Sequence, residues 1–481
     1  MLNQISSAMG QGLHVTAATQ RTSCRYLETD EGFNVRLLAQ PMWPPRSRPA
    51  GTFTITVILD GPETNLYGEQ AEAALTVAKR VPLTSLEQRE LTRQMPLTAG
   101  IPEHLPPNCL SHIAPVLTVH HMYDFLVMVE ALQRLGVPPE AMTVLDKGYR
   151  YRNTQRVDAH LEAQRVRVWP WNDAATALKD HVARACGAER KGVLVDDGGY
   201  TLPVLMEQCP ELLTDFVGLV EQTASGIAKL AKYPDLPMPV FSVAESRLKA
   251  AIEPYGIADA AVRNLRALVP EEKWEGQAAC VLGFGRIGSA LAEVLRQKRM
   301  RVAVHDTSTE ALVTAMEQGF ETSPDLHALL RRHQPILVMG TTGATSLRGE
   351  HAASLLRDCY LVSVTSRDRE FALTELRAAA EDIEDAGQVG SRLGFPHGTR
   401  ATLIADGYPI NFHWAESLPN KYADLVLASL IVGTTTLAHP DHGFAPGHNV
   451  ARTDARLAES GLLERYYACF GPRNAAREPA A

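Results

Sequence analysis

No Cys-x-x-Cys pair occurs in this 481-residue chain, and its seven cysteines (Cys24, Cys109, Cys186, Cys209, Cys280, Cys359, Cys469) are scattered and odd in number. That argues against a disulfide framework and suits reduced thiols acting as small core fillers. No apolar run reaches the roughly 20 residues that span a bilayer. Met1 to Gly12 lacks the basic and apolar regions of a secretory signal. No long basic run offsets the formal net charge of −8, which argues against a nucleic-acid surface. Internal repeats and low-complexity tracts are missing too. The expectation is a soluble cytoplasmic protein, with no membrane and no nucleic-acid partner, acting on a small molecule.

The composition, 45% apolar and 21% charged, is that of a globular protein. The length calls for two or three domains. Residues 1–50 end in the Pro-rich stretch Gln40 to Pro49 and read as an arm. Thr52 to Leu59 alternates like a strand, and Ala71 to Lys79 suits a helix. From Ile113 strands and helices alternate: strands at Ile113–Thr118, Met142–Leu145 and Arg165–Trp169, a strand running into a Gly-rich turn over Lys191–Gly199, and a helix at Tyr123–Leu135. That alternation predicts a first α/β domain with a largely parallel sheet. Phe216 to Leu230 is expected to be a helix, as are Ile257 to Leu268 and Tyr422 to Ile431.

The most specific signal is Val281-Leu282-Gly283-Phe284-Gly285-Arg286-Ile287-Gly288. A strand-length apolar run precedes it, a helical pattern follows, and Arg301 to Asp306 reads as a second strand ending on an acid. Gly283 permits the tight turn, Gly285 lets backbone approach a pyrophosphate, and Gly288 lets helix and strand pack closely. The helix N-terminus, at Arg286 and Ile287, offers free N–H groups to phosphate. Asp306, roughly twenty residues on, can accept from ribose hydroxyls and would repel a 2′-phosphate, so NAD is the expected cofactor.

Further segments extend this into a family resemblance. Val195-Asp196-Asp197-Gly198-Gly199, Glu221-Gln222-Thr223-Ala224-Ser225-Gly226, Gly340-Thr341-Thr342-Gly343 and Asp406-Gly407-Tyr408-Pro409-Ile410-Asn411 fall in order. They resemble the Asp-Asp-Gly-Gly, Glu-Glu-Thr-Thr-Thr-Gly, Thr-Thr-Thr-Gly and Glu-Gly-Arg-Leu-Val-Asn segments of S-adenosyl-L-homocysteine hydrolase. The resemblance covers about Ile113 to Ile431. It implies a bilobal α/β protein with a Rossmann NAD-binding domain inserted in a second α/β substrate domain. The boundaries expected are 1–50 arm, 51–256 substrate domain, 257–412 Rossmann domain, 413–455 substrate domain again, and 456–481 tail. It also implies a homo-oligomer, dimer or tetramer. In the family, NAD oxidises the substrate's 3′-hydroxyl, homocysteine is eliminated, water adds, and the ketone is reduced again.

The resemblance implies cofactor contacts at Gly283, Gly285, Arg286, Ile287, Gly288, Asp306, Thr223, Ser225, Thr341, Thr342, Gly343, Thr365, Ser366 and Asn411. The catalytic positions depart from it. The aspartate of Ser-Thr-Gln-Asp becomes Arg156, the second acid of Glu-Glu-Thr becomes Gln222, a lysine becomes Glu245 and an aspartate becomes Lys249. The histidine of Gly-His-Phe-Asp becomes Ser366, and Gly-His-Pro becomes Ser417-Leu418-Pro419. Arginine stays charged and amides do not titrate, so proton-transfer groups are lost at two positions.

Each remaining candidate has a plainer reading beside it. Glu245 and Lys249 are either a helical i,i+4 surface pair or proton-transfer groups. Lys147, Arg150, Arg152 and Arg156 form a basic loop after a strand end, of which Arg156 is the expected holder of a substrate anion. His120 and Asp124 match the family's substrate contacts, or open the next helix. Asp197 is the expected catalytic acid, with Asp196 left to cap the Gly-Gly turn. His413 and Glu416 read as a polar turn. His439, Asp441, His442 and His448 fit no common zinc spacing and read as a loop, so no metal is expected. The function implied is an NAD-dependent, adenosylhomocysteinase-like enzyme oxidising a carbinol of a small, polar, anionic substrate. The alternatives are S-adenosylhomocysteine hydrolysis itself and a silent NAD-binding regulator.

Overall fold

The computed structural model describes residues 83–472 except 150, 152, 188, 366–368 and 414–419; before residue 83 it describes four strands alone. Those strands, β1 (Leu13–Thr19), β2 (Cys24–Thr29), β3 (Asn34–Pro41) and β4 (Phe53–Asp60), pair antiparallel in sequential order. Three of them lie in the stretch expected to be an arm, which corrects that reading. The Pro-rich stretch begins only where β3 ends, at Pro41, a position where a missing N–H is tolerated. The helix expected at Ala71–Lys79 lies outside the described residues.

The second sheet contains β5 (Ile113–Thr118), β6 (Thr143–Asp146), β7 (Arg167–Pro170), β8 (Lys191–Asp196), β9 (Phe216–Glu221) and β10 (Pro239–Ser242). All run parallel, in the order β10-β9-β8-β5-β6-β7. β5 is buried along its whole length, as expected of a central parallel strand. The helix expected over Phe216–Leu230 is instead β9 followed by a short helix, Ala224–Leu230. Phe-Val-Gly-Leu-Val-Glu is a strand-length apolar run, which periodicity alone does not separate from a buried helix.

The third sheet is built from β11 (Ala278–Leu282), β12 (Arg301–His305), β13 (Glu321–Ser323), β14 (Leu337–Gly340), β15 (Cys359–Ser363), β16 (Asp382–Asp385), β17 (Gly390–Gly394) and β18 (Arg400–Ile404). Its order is β13-β12-β11-β14-β15-β18-β17-β16, with every pairing parallel except those that β17 makes with β18 and β16. The chain then returns to the second sheet, whose edge takes β19 (Gly447–His448) beside β10. The protein is therefore α/β, with the third sheet inserted in the chain between two parts of the second.

Both parallel sheets are doubly wound, and the chain reverses direction between β5 and β8 in one and between β11 and β14 in the other. Ligands bind at such switch points, beyond the carboxyl ends of the strands. The helix Arg247–Leu268 joins the two lobes. Its Leu248 packs in the core of the second sheet, while Ala258, Ala261, Val262 and Leu265 pack in that of the third. The helix Asn420–Ala438 is buried along most of its length, against β9 and the helix Tyr123–Arg134. Residues 456–470, expected to be a tail, continue one helix (Val450–Glu459) and form another (Leu462–Phe470). Their Leu457 and Leu462 are buried in the same core. No helix among the described residues is long and apolar enough to cross a membrane.

Candidate functional site

At the switch point of the third sheet, Gly283 follows β11 with φ +92°, a conformation that glycine adopts without steric cost. Gly285 begins the helix Arg286–Gln297 with no side-chain cap, so the first backbone N–H groups keep their donors for a ligand. A Cβ on Gly285 would meet nothing within 4 Å, whereas one on Gly288 would lie 2.0 Å from Gly283 O. Asp306 closes the turn: its Oδ2 accepts from Phe284 N at 2.6 Å and its Oδ1 from Ser308 N at 2.8 Å. Thr341, after β14, has its hydroxyl 2.9 Å from Leu282 O and 3.0 Å from Gly283 O. The open turn, the bare helix start and the acid after the second strand are the parts an NAD pyrophosphate and ribose require.

One residue that organises this region escaped the sequence reading. Glu370 is fully buried and accepts from Thr342 N, Gly343 N, and the hydroxyls of Thr342, Ser346 and Thr365. It thereby fastens the loops after β14 and β15. Ser366 lies outside the described residues. Farther along, Asn411 is buried and its Oδ1 has no partner among the described residues, as is true of Ser363 Oγ. Unpaired buried polar atoms are costly, and here they suit a polar group of a bound cofactor.

At the other switch point, four strand ends converge. His120 follows β5, Lys147 follows β6, Asp197 follows β8 and Gln222 follows β9. His120 Nε2 lies 3.0 Å from Asp197 Oδ2, and Lys147 Nζ lies 3.1 Å from Asp197 Oδ1. Lys147 also donates to Asp197 O at 3.0 Å, and its Nζ is 3.4 Å from His120 Nε2. The opposite ring nitrogen, Nδ1, meets the Tyr151 hydroxyl. Phe412, next to Asn411, stacks on the imidazole with centroids 4.1 Å apart. Burial alone would raise Asp197, but His120 and Lys147 more than offset it and hold its carboxyl far below the carboxylate range. Burial, with the Lys147 charge, lowers His120 despite Asp197. Burial and Asp197 push the Tyr151 phenol well above its usual value.

A cavity of ≈ 70 Å³ opens beside this cluster, lined by His120, Asp197, Asp124, Gln222 and Glu253, with Phe412 and Val426 among its apolar walls. Gln222 Oε1 is buried without a partner among the described residues. Asp124 Oδ1 accepts from Phe125 N at 2.9 Å. Beneath the cavity, Glu221 takes Gly198 N, Gly199 N, Thr223 N and the Thr223 hydroxyl. Burial and the neighbouring Asp196 raise it to about 8. Asp196 accepts from Tyr200 N and Thr201 N, the turn-capping part expected of it.

Several expected residues stand elsewhere. Arg156 gives both arms of its guanidinium to Glu87, Nη1 to Oε1 and Nη2 to Oε2 at 3.0 Å each, and a third bond to the Tyr123 hydroxyl at 2.9 Å. It braces two helices, and the anion it was expected to hold is a protein carboxylate. Glu245 and Lys249 do not form the i,i+4 pair considered for them, because the helix begins only at Arg247 with Ser246 as its cap. Glu245 accepts from the Ser242 hydroxyl at 2.9 Å, and Lys249 pairs with Glu253 at 3.1 Å and donates to Gln222 O. Thr223 caps the helix Ala224–Leu230, with the Ser225 hydroxyl 3.2 Å away. His439 and His442 accept from Asp441 N and Phe444 N through Nδ1, as loop caps. Glu416 is outside the described residues.

Lys147, Tyr151 and Phe412 were not singled out as site residues. Lys147 carried a signal, as a cation one residue past a central strand. Phe412 carried only its adjacency to Asn411.

Residues 255–417 match the family model for the NAD-binding domain of S-adenosyl-L-homocysteine hydrolase. An uncharacterized protein of Mycobacterium tuberculosis is 30% identical over 339 residues, covering 67% of this chain and 63% of that one. The S-inosyl-L-homocysteine hydrolase of Methanopyrus kandleri is 25% identical over 362 residues, covering 73% and 83% respectively. The chain thus spans somewhat under two thirds of the length of the first of these relatives. Among solved structures, a dipicolinate synthase chain from Bacillus halodurans aligns with a TM-score of 0.41 and 12% identity over 68% of this chain and 100% of that one.

Proposed function

We propose that this chain, whose residues 255–417 match the NAD-binding domain of S-adenosyl-L-homocysteine hydrolase, is a divergent member of that family and an NAD-dependent enzyme oxidising a secondary carbinol of a small hydroxylated molecule. The observation that carries this reading is the pair of part-buried His120 and buried Asp197 at a sheet switch point, under a ring from the segment beside Asn411. Bound NAD supplies a hydride acceptor. The protein's own part is to orient the carbinol and take its proton. Asp197, held ionised, and His120, held neutral at ordinary pH, form the proton-accepting pair. Gln222 Oε1 is placed to accept from a second hydroxyl, a role open to an amide that exchanges no proton. The wall of Phe412 and Val426 keeps bulk water from the reacting carbon.

The substrate charge expected from the sequence is revised in this proposal. With Arg156 committed to Glu87 and the carboxylates of Asp124 and Glu253 at the cavity wall, the geometry favours an uncharged hydroxylated substrate over an anionic one. Hydrolysis of an S-nucleosylhomocysteine is the second reading, favoured by the Methanopyrus relative's name. It would have to proceed with an amide at Gln222 and exchanged charges at Glu245 and Lys249.

Purified protein incubated with NAD and a panel of ribonucleosides, sugar alcohols and hydroxy acids should generate reduced nicotinamide with at least one uncharged member. His120→Ala should lower that rate by about a hundredfold or more, the usual scale for a general base. A protein that neither contains nor binds NAD ends the proposal. Release of homocysteine from S-inosyl- or S-adenosylhomocysteine at a comparable rate would establish the second reading instead.

A further inference from the structure

We propose that Lys147 is the positioning cation of this site, supplying from the end of β6 the buried positive charge that the family resemblance places at the position of Glu245. This rests on the reading of His120 and Asp197 as the proton-accepting pair. Three observations support it. The Lys147 side chain is 3% exposed, which for a lysine requires a partner, and both the carboxylate and the carbonyl of Asp197 provide one. Its Nζ is also 3.4 Å from His120 Nε2, so one ammonium group faces both members of the pair. At the two positions where the resemblance predicts rearranged charge, Glu245 is an acid held by Ser242, and Lys249 pairs with Glu253 and acts on Asp197 only from a distance, whereas Lys147 touches the carboxylate.

The charge has a definite physical effect. A cation 3.1 Å from Asp197 Oδ1 makes protonation of that carboxylate unfavourable, so the acid stays available as an acceptor. The same cation opposes a second positive charge on the imidazole, which keeps His120 in its neutral, proton-accepting form. The groups facing His120 are Asp197 after β8, Lys147, Tyr149 and Tyr151 after β6, His121 in its own segment, and Phe412 from the inserted domain. Among them Lys147 and Asp197 form the ion pair, at 3.1 Å. Lys147 therefore sets the proton affinity of the pair through its charge.

The test is the titration of His120 in NAD-loaded protein labelled with ¹⁵N-histidine, its resonance assigned by the His120→Gln variant. In the wild type the imidazole should titrate below the ordinary histidine value. In Lys147→Met, where the stem remains and the charge is gone, the midpoint should rise on the order of one pH unit, a tenfold gain in proton affinity. Lys147→Arg, which keeps the charge, should return the midpoint most of the way. Asp197→Asn should move it the opposite way, downward. A His120 midpoint unchanged in Lys147→Met, with an intact thermal transition, overturns the proposal. Should Lys147→Met not fold, Lys147→Arg decides: a midpoint more than half a unit or so from wild type counts against a role that depends on charge alone. The readout needs no substrate. A normal titration shift alongside no alcohol-dependent NAD reduction would retire the carbinol reading while leaving the electrostatic assignment in place.

Discussion

Gly285 and Gly288 sit three residues apart in one turn and are required for opposite reasons. A Cβ at Gly288 would lie 2.0 Å from Gly283 O and 2.7 Å from the Thr341 hydroxyl, so it must break the strand–helix junction. A Cβ at Gly285 would meet no protein atom within 4 Å, and the residue's φ of −74° suits alanine. Gly288→Ala should therefore cost about 3 kcal/mol or more of stability. Gly285→Ala should melt as the wild type does yet bind NAD at least about tenfold more weakly, since its methyl occupies the pyrophosphate's approach. Calorimetric melting and NAD titration separate the two, and wild-type NAD affinity in Gly285→Ala would show that the cofactor lies elsewhere. The close packing at Gly288 was legible in the residue order, because the third glycine of a Gly-x-Gly-x-x-Gly turn lies where helix and strand meet. The role of Arg156 was not. Whether a guanidinium meets a ligand or a carboxylate depends on Glu87, sixty-nine residues away in the chain.

Among the elements, strand ends hold the chemistry, and the loops after them are fixed by buried acids. Glu370 receives two backbone N–H groups and three hydroxyls from the loops after β14 and β15. Glu370→Ala should destabilise the protein by about 2–4 kcal/mol, since the donors it leaves are only partly reached by water. It should also speed amide exchange at Thr342 and Gly343 and weaken NAD binding. Unchanged exchange there would mean the loop is held by other contacts. The sequence showed the Thr-Thr-Gly loop but not its fastener, since an acid in an unpatterned stretch has no periodicity to betray it. The error at Phe216–Leu230 has a related origin. A short apolar run buried on both faces fits a strand or a helix until its neighbours, β8 and β10, are known.

For the whole molecule, buried acids set the pH range of stability. Burial raises Asp424 to about 6, although it accepts from Leu97 N and Thr98 N. Between about pH 4 and 6 the folded chain keeps this proton while the unfolded chain has released it, so the contribution is lost as pH rises through about 6. Glu221, raised to about 8, acts in the same direction over a wider range. Asp197, held below the carboxylate range, acts oppositely: its contribution is present above the ordinary carboxylate value and is lost as pH falls through its folded value. The melting temperature should therefore peak near about pH 4 and decline toward about pH 8. Asp424→Asn should flatten the part of that decline between about pH 4 and 6, by on the order of 2 kcal/mol. A wild-type melting temperature rising steadily to about pH 8 would contradict these assignments.

By itself the sequence determined the α/β class, the order of most strands along the chain and the presence of an NAD-binding domain. These follow from short-range pattern, in which each residue's role depends on neighbours within a few positions. It also marked Asp197 and His120, through segments whose spacing resembles a family. Only the tertiary structure decided that both sheets reverse at corresponding places and that Lys147, not residue 245, brings the cation to Asp197. It also decided that the expected anion holder is already occupied. Those outcomes depend on which strand ends meet across the sheet and how far a side chain reaches from each. Neither distance is encoded in spacing along the chain.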